Sequence, residues 1–215
     1  MRRLAVETLD YEQRLRASFE ATVRETSEFF MDRGDVRKTM ARLAERLRSE
    51  GIPYAVVGGM ALGKHGYVRM TDDVDILLTP EGLKRFLERC VGRGYVPTHP
   101  GAERTFRDAE TRVRIEVLVT GEYPGDGKPK AVAFPDPDEA SIEADGIRVL
   151  RLPRLVELKL ASGMTAPDRL RDLADVQELI RAEGLDETFA AEVDPSVRPK
   201  FLELLKALRD AANRS

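Results

Sequence analysis
The first periodicity along the chain is helical. Over residues 8–32 the apolar positions Leu15, Phe19, Val23 and Phe30 fall mostly four apart, with Arg and Glu between them, which predicts a long amphipathic helix. Gly34 interrupts it, Asp35 is placed to cap a second helix, and Val36, Met40, Leu43 and Leu47 carry that helix to Gly51. The two helices read as an N-terminal hairpin, residues 1–51, whose first apolar face suits docking or a homodimer contact.

Beyond Gly51 the pattern shortens to that of strands. Residues 53–57 form an apolar strand candidate, ended by Gly58 and Gly59 and followed by a helix-compatible stretch to His65, which reads as a packing residue at a helix end. DVDILLT, residues 73–79, is the next strand. Pro80 opens a helix with Leu83, Phe86, Leu87 and Cys90 or Val91 on one face, and GYVPT, RTFRD and TRVRIEVLV then alternate or run apolar as strands do. KAVAF and GIRVLRL are further strand candidates, and residues 124–138, rich in Pro, Gly and Asp, read as a surface loop. PRLVELKLASG, DRLRDLADVQELIRAEG and a segment after Pro199 predict three closing helices. The class is therefore α+β, or α/β in looser usage. A central mixed sheet, residues 52–152, would be flanked by helices, with a C-terminal helical region over residues 153–215.

Alternation also places the chemistry. In an extended strand Asp73, Asp75 and Leu77 project to one side while Val74, Ile76 and Leu78 project to the other, so the apolar set anchors the strand and the acids are presented. Asp72 points away and reads as a turn residue. The same rule puts Glu116 on one face of its strand with Arg112 and Arg114, where it meets the aspartates if the two strands are neighbours. Carboxylates held that close repel one another unless a cation lies between them, and a donor set of oxygen alone points to Mg²⁺ or Mn²⁺. Such a metal takes substrate phosphates as its other ligands. Backbone N–H groups at Gly58 and Gly59, where a strand turns into a helix, suit a polyphosphate. Asp172 and Asp175, three apart on one helix face, read as a clamp for Lys159 or Arg69.

Composition narrows the alternatives. One cysteine, read as buried filler, and two histidines exclude an internal disulfide framework, a cysteine-based zinc cluster and a histidine-rich metal site. With 35 basic and 38 acidic residues the net charge is near −3, so the whole molecule is no electrostatic trap for long nucleic acid. No apolar run approaches the length of a membrane span and none resembles a signal peptide, which leads to the expectation of a cytoplasmic protein with no membrane partner.

VVGG, then thirteen residues, DVD and an acid in a later strand (RIEVL) together resemble the nucleotidyltransferase superfamily that includes DNA polymerase beta. HGYVRMTDDVDILL is more similar to small prokaryotic members, including AbiEii-type toxins and related uncharacterised proteins. KLASGMTAPDRLRDLADVQELI is similar to the Lys and Arg/Lys-Asp helical motif of that branch, and the likeness spans residues 53–182. The resemblance implies a nucleotidyltransferase fold and a magnesium-dependent enzyme. It would move an NMP from ATP or another NTP to a hydroxyl acceptor (an RNA or tRNA end, a protein or a small molecule), releasing pyrophosphate. It further implies a toxin of a toxin–antitoxin pair, with an antitoxin partner. Carried over by position, Asp73, Asp75 and Glu116 would be catalytic metal ligands, with Glu116 also helping to deprotonate the acceptor. Gly58 and Gly59 would cradle the triphosphate, Lys159 would neutralise its charge, and Arg69 and Thr71 would fix the loop or touch nucleotide. Gly59 stands where many relatives carry serine, and Glu116 where aspartate is more usual. Those departures leave open an alternative: a catalytically degenerate nucleotidyltransferase-fold protein that binds nucleotide or another protein.

Overall fold
The computed structural model describes residues 34–214. The helix expected over residues 8–32, and the homodimer face assigned to it, lie outside them. Among the described residues no helix is long and apolar enough to cross a membrane.

Helix α1 (Asp35–Ser49) begins one residue earlier than the cap assigned to Asp35, because Gly34 takes the extended N-cap position and Asp35 enters the first turn, where its charge favours the helix end. It lays Val36, Met40, Leu43, Ala44 and Leu47 into the core. Thereafter the order is β1 (Tyr54–Val56), α2 (Gly58–Lys64), β2 (Asp73–Leu78), α3 (Pro80–Arg89), β3 (Tyr95–Pro97), β4 (Thr105–Asp108) and β5 (Arg114–Val119). A short α4 (Pro137–Ala140), the hairpin β6 (Ser141–Ala144) and β7 (Ile147–Leu150), and the helices α5 (Leu152–Thr165), α6 (Leu170–Glu183) and α7 (Arg198–Ala212) complete the described chain.

The seven strands form one mixed sheet in the order β3-β4-β5-β2-β1-β7-β6. At its centre β2 runs parallel to β5 and antiparallel to β1. Val74, Ile76 and Leu78 are fully buried on one side of β2, and Leu77 is buried on the other, so the acid-bearing face turns into core immediately beyond Asp75. Helix α5 is buried almost throughout its middle, and Gly163 lets α6 approach it: a Cβ there would stand 2.6 Å from the Leu173 side chain. Cys90 is buried, as expected of filler, and His65 closes α2 with its Nε2 2.7 Å from the Leu150 carbonyl.

Two strand assignments differ from the sequence reading. KAVAF is not a strand; only Phe134 joins the backbone network, through Gly121 and Glu122. Pro129, Pro135 and Pro137 remove donors around it, and Lys130 is drawn instead to the Pro124 carbonyl at 2.6 Å. Strand β6 escaped notice although Asp145-Gly146 follows it. Both residues take positive φ, 51° and 73°, as a two-residue hairpin turn of the mirror-image type requires.

Candidate active site
The in-register pairing of β2 with β5 places Asp75 directly opposite Glu116, and Asp73 opposite Arg114. The carboxylates thus line one cleft of about 640 Å³, walled on its far side by α5 and the start of α6. Burial is the first cause, and the neighbouring charges of Asp73 and Glu116 the next, that push the Asp75 carboxyl up from its usual range to about 7. Lys159 and Arg114 act in the opposite sense. The floor of the cleft therefore holds more negative charge than its own cations offset.

Each acid is also held by a neighbour. The Thr71 hydroxyl donates to Asp73 Oδ1 at 2.8 Å, and Arg114 donates to Glu116 at 2.9 Å. With Glu116 turned to Arg114, no three acid, imidazole or thiol side chains among the described residues converge on a ready-made metal position. Asp72 is exposed at the cleft wall, outside the β2 pair.

The two glycines have different surroundings. Gly58 takes φ +59° beside Asp75, where an added Cβ would fall 1.8 Å from Oδ2, so its lack of a side chain is what admits that carboxylate. Gly58→Ala is expected to lower stability by about 1–2 kcal/mol through the left-handed backbone and the displaced carboxylate, read by denaturant melts. An unchanged midpoint would contradict the close approach. Gly59 belongs to a second groove, between α1 and α2, and packs on Thr71, whose Oγ1 lies 2.9 Å from where a Cβ would stand. Thr71 thus supplies a hydroxyl beside the space that a side chain at position 59 would need.

On the opposite wall, Leu155, Leu158, Lys159 and Ser162 share one stripe of α5 facing the cleft. Lys159 Nζ donates to Asp172 Oδ1 and to Asp175 Oδ2, each at 2.6 Å, and Ser162 donates to Asp172 Oδ2 at 2.6 Å. Asp175 also meets Arg69, whose Nε lies 3.1 Å from Oδ1 but is not aligned as a hydrogen-bond donor, so the contact is an ion pair. The clamp read from the spacing of Asp172 and Asp175 holds both cations at once. It ties the segment before β2 to the C-terminal helices.

A model of the uncharacterised nucleotidyltransferase family matches residues 6–209. The chain belongs to that family. A search of curated proteins found no match. Among solved structures, the antibiotic-resistance factor ANT(2'')-Ia gives a TM-score of 0.53 at 14% identity, covering 86% of this chain and 100% of its own. JHP933 from Helicobacter pylori gives 0.45 at 17% identity, covering 74% of this chain and 71% of its own. The first likeness shows a shared fold.

In this nucleotidyltransferase the cleft gathers Asp73, Asp75, Glu116, Gly58, Arg69, Thr71 and Lys159, leaving only Gly59 of the sequence candidates to the neighbouring groove. Sequence reading missed Ser162 as a partner of Asp172, although Ser162 lies three positions beyond Lys159 on the same helix. Sequence reading gave Arg169 and Arg171 no role in the site, and both line the cleft. Their position depends on the turn between α5 and α6, which periodicity within either helix does not specify.

Proposed function
We propose that this nucleotidyltransferase moves an NMP from an NTP to a hydroxyl acceptor, an RNA end, a protein or a small molecule, and releases pyrophosphate. The observation that carries the reading is the facing of Asp75 and Glu116 across β2 and β5, with Asp73 beside them and the Asp75 carboxyl pushed up to about 7 by burial and by those two acids. Their oxygen-only chemistry and uncompensated charge fit Mg²⁺ or Mn²⁺, which Asp73, Asp75 and, on release from Arg114, Glu116 would hold. When bound, the ion supplies charge neutralisation at the phosphates and acidifies the acceptor hydroxyl.

The protein's own residues do the positioning. Thr71 orients Asp73, Gly58 leaves room for Asp75 and for close approach of a phosphate, and Glu116 would accept the acceptor's proton. Lys159 adds positive potential to the far wall from within its clamp, and Arg69 braces the segment carrying Thr71. A cleft of about 640 Å³ accommodates a nucleotide. A toxin role would add an antitoxin partner to this chemistry and leave the site unchanged.

Incubation with labelled NTPs, Mg²⁺ and cell extract is expected to transfer label to an acceptor and release pyrophosphate, with background label only for an Asp73→Ala, Asp75→Ala variant. Equal labelling by both proteins defeats the reading. Tight binding of Mg-NTP with no turnover under any acceptor condition would favour the degenerate, binding-only alternative.

A further inference from the structure
Among the described residues four basic side chains line the cleft: Arg69, Lys159, Arg169 and Arg171. The same described lining carries seven acidic side chains, so it repels a polyanion unless particular cations are free to receive it. Two of the four are already engaged. Arg69 is paired with Asp175, and Lys159 lies between Asp172 and Asp175. Two of the three N–H donors of Lys159 are spent on carboxylates and Arg69 lies against Asp175, so the charge of each is already offset by a buried partner.

Arg169 and Arg171 differ in every respect that matters. Both side chains are exposed at the cleft wall, and neither makes a hydrogen bond or ion pair with another side chain among the described residues. Arg169 ends the turn Pro167–Arg169 that joins α5 to α6, and Arg171 is the second residue of α6. Leu170 between them is 67% exposed and lies outside the cleft lining, so the two arginines flank a residue directed elsewhere. Asp168 also lines the cleft next to them and lowers their combined positive charge without pairing with either. Two guanidiniums with no side-chain partner among the described residues, two positions apart where the turn enters α6, suit the paired oxygens of a phosphate chain, since each offers several donors in a planar fork.

We propose that Arg169 and Arg171 receive the β- and γ-phosphates of the bound NTP, making them the residues that select a triphosphate over a monophosphate. Lys159 stays in its clamp and acts as a positioning residue, in place of the direct phosphate contact that the sequence resemblance implied. The inference rests on the NTP-dependent reading above and deepens it.

Calorimetry on the full chain with MgCl₂ and, separately, ATP, AMP and inorganic tripolyphosphate tests it. The wild type is expected to bind ATP and tripolyphosphate more tightly than AMP. An Arg169→Ala, Arg171→Ala variant should lose at least about tenfold in affinity for ATP and tripolyphosphate, the factor a charge-assisted contact contributes, while AMP affinity changes less than about twofold. Lysine at both positions should restore part of the loss. Because both side chains are exposed, the variant's thermal melt should match the wild type, and a matching melt guards against misfolding. Wild-type affinity for ATP in the alanine variant overturns the inference and leaves the nucleotidyl-transfer reading standing. So does an equal loss for AMP, which would place the arginines elsewhere on the nucleotide. Failure of the wild type to bind any of the three probes overturns both.

Discussion

Lys159→Met is expected to destabilise the protein by about 3 kcal/mol, the scale of stranding a buried charge, and to lower its melting temperature by roughly 6–10 °C. The side chain is only 10% exposed and its ammonium lies 2.6 Å from carboxylates of Asp172 and Asp175, which are 13% and 2% exposed. Together with Arg69 the four groups balance, two positive against two negative, and methionine fills much the same volume while leaving one negative charge in excess. Of the two carboxylates Arg69 meets Asp175 and not Asp172, so it offsets one of them. If charge balance is the cause, Lys159→Met combined with Asp172→Asn should regain more than half of the loss, since Arg69 and Asp175 remain as a neutral pair. Ser162 can still hydrogen-bond an asparagine at position 172, so the second change need not orphan that hydroxyl. A single variant as stable as wild type, or a double variant worse than the single, would refute the balance. Either result would return Lys159 to the role of a lysine free to reach a ligand.

The centre of the site was legible because strand alternation is a rigid rule. Once β2 and β5 are neighbours, the positions of Asp73, Asp75 and Glu116 on one face follow from period two, and the parallel register brings Asp75 opposite Glu116. The clamp was legible for a similar reason, as residues three apart on a helix share a face. The segments that escaped depend on contacts between elements. KAVAF has a strand's composition, but its prolines and the pull of Pro124 on Lys130 hold it in a loop. Gly59 sits beside Gly58 in sequence, yet a helical turn points it at Thr71 and the second groove. Arg169 and Arg171 look like any exposed helix-start arginines until the α5–α6 turn brings them to the cleft wall. Local pattern states which way a side chain leaves its own element. The packing of α6 against α5, made close by Gly163, decides what it then meets.

Asp75→Asn should abolish nucleotidyl transfer, by at least about 10²–10³-fold, and at the same time stabilise the metal-free protein at pH 8. The carboxyl titrates near 7 in the folded chain, against about 3.9 when unfolded, so the folded state holds a proton that the unfolded state has released between those values. Stability then falls as pH rises through that window, because the unfolded state binds fewer protons there. The distance from about 3.9 to about 7 sets a ceiling of about 4 kcal/mol. Solvent in the cleft and relaxation of Asp73 and Glu116 reduce the expected gain to about 1–2 kcal/mol, a rise of roughly 3–6 °C in melting temperature at pH 8. Near pH 4 the wild-type group is protonated in the folded chain, and the two proteins should melt together. Mg²⁺ should raise the melting temperature of the wild type at pH 8 and leave that of the variant nearly unchanged, since binding to the native state alone adds stability. A variant less stable than wild type at pH 8 would show that Asp75 holds the fold together. Opposite signs for stability and activity are what a site built to surround a cation would require: the charge that costs the fold stability would be the charge the proposed chemistry uses, whereas a structural carboxylate would lose both together.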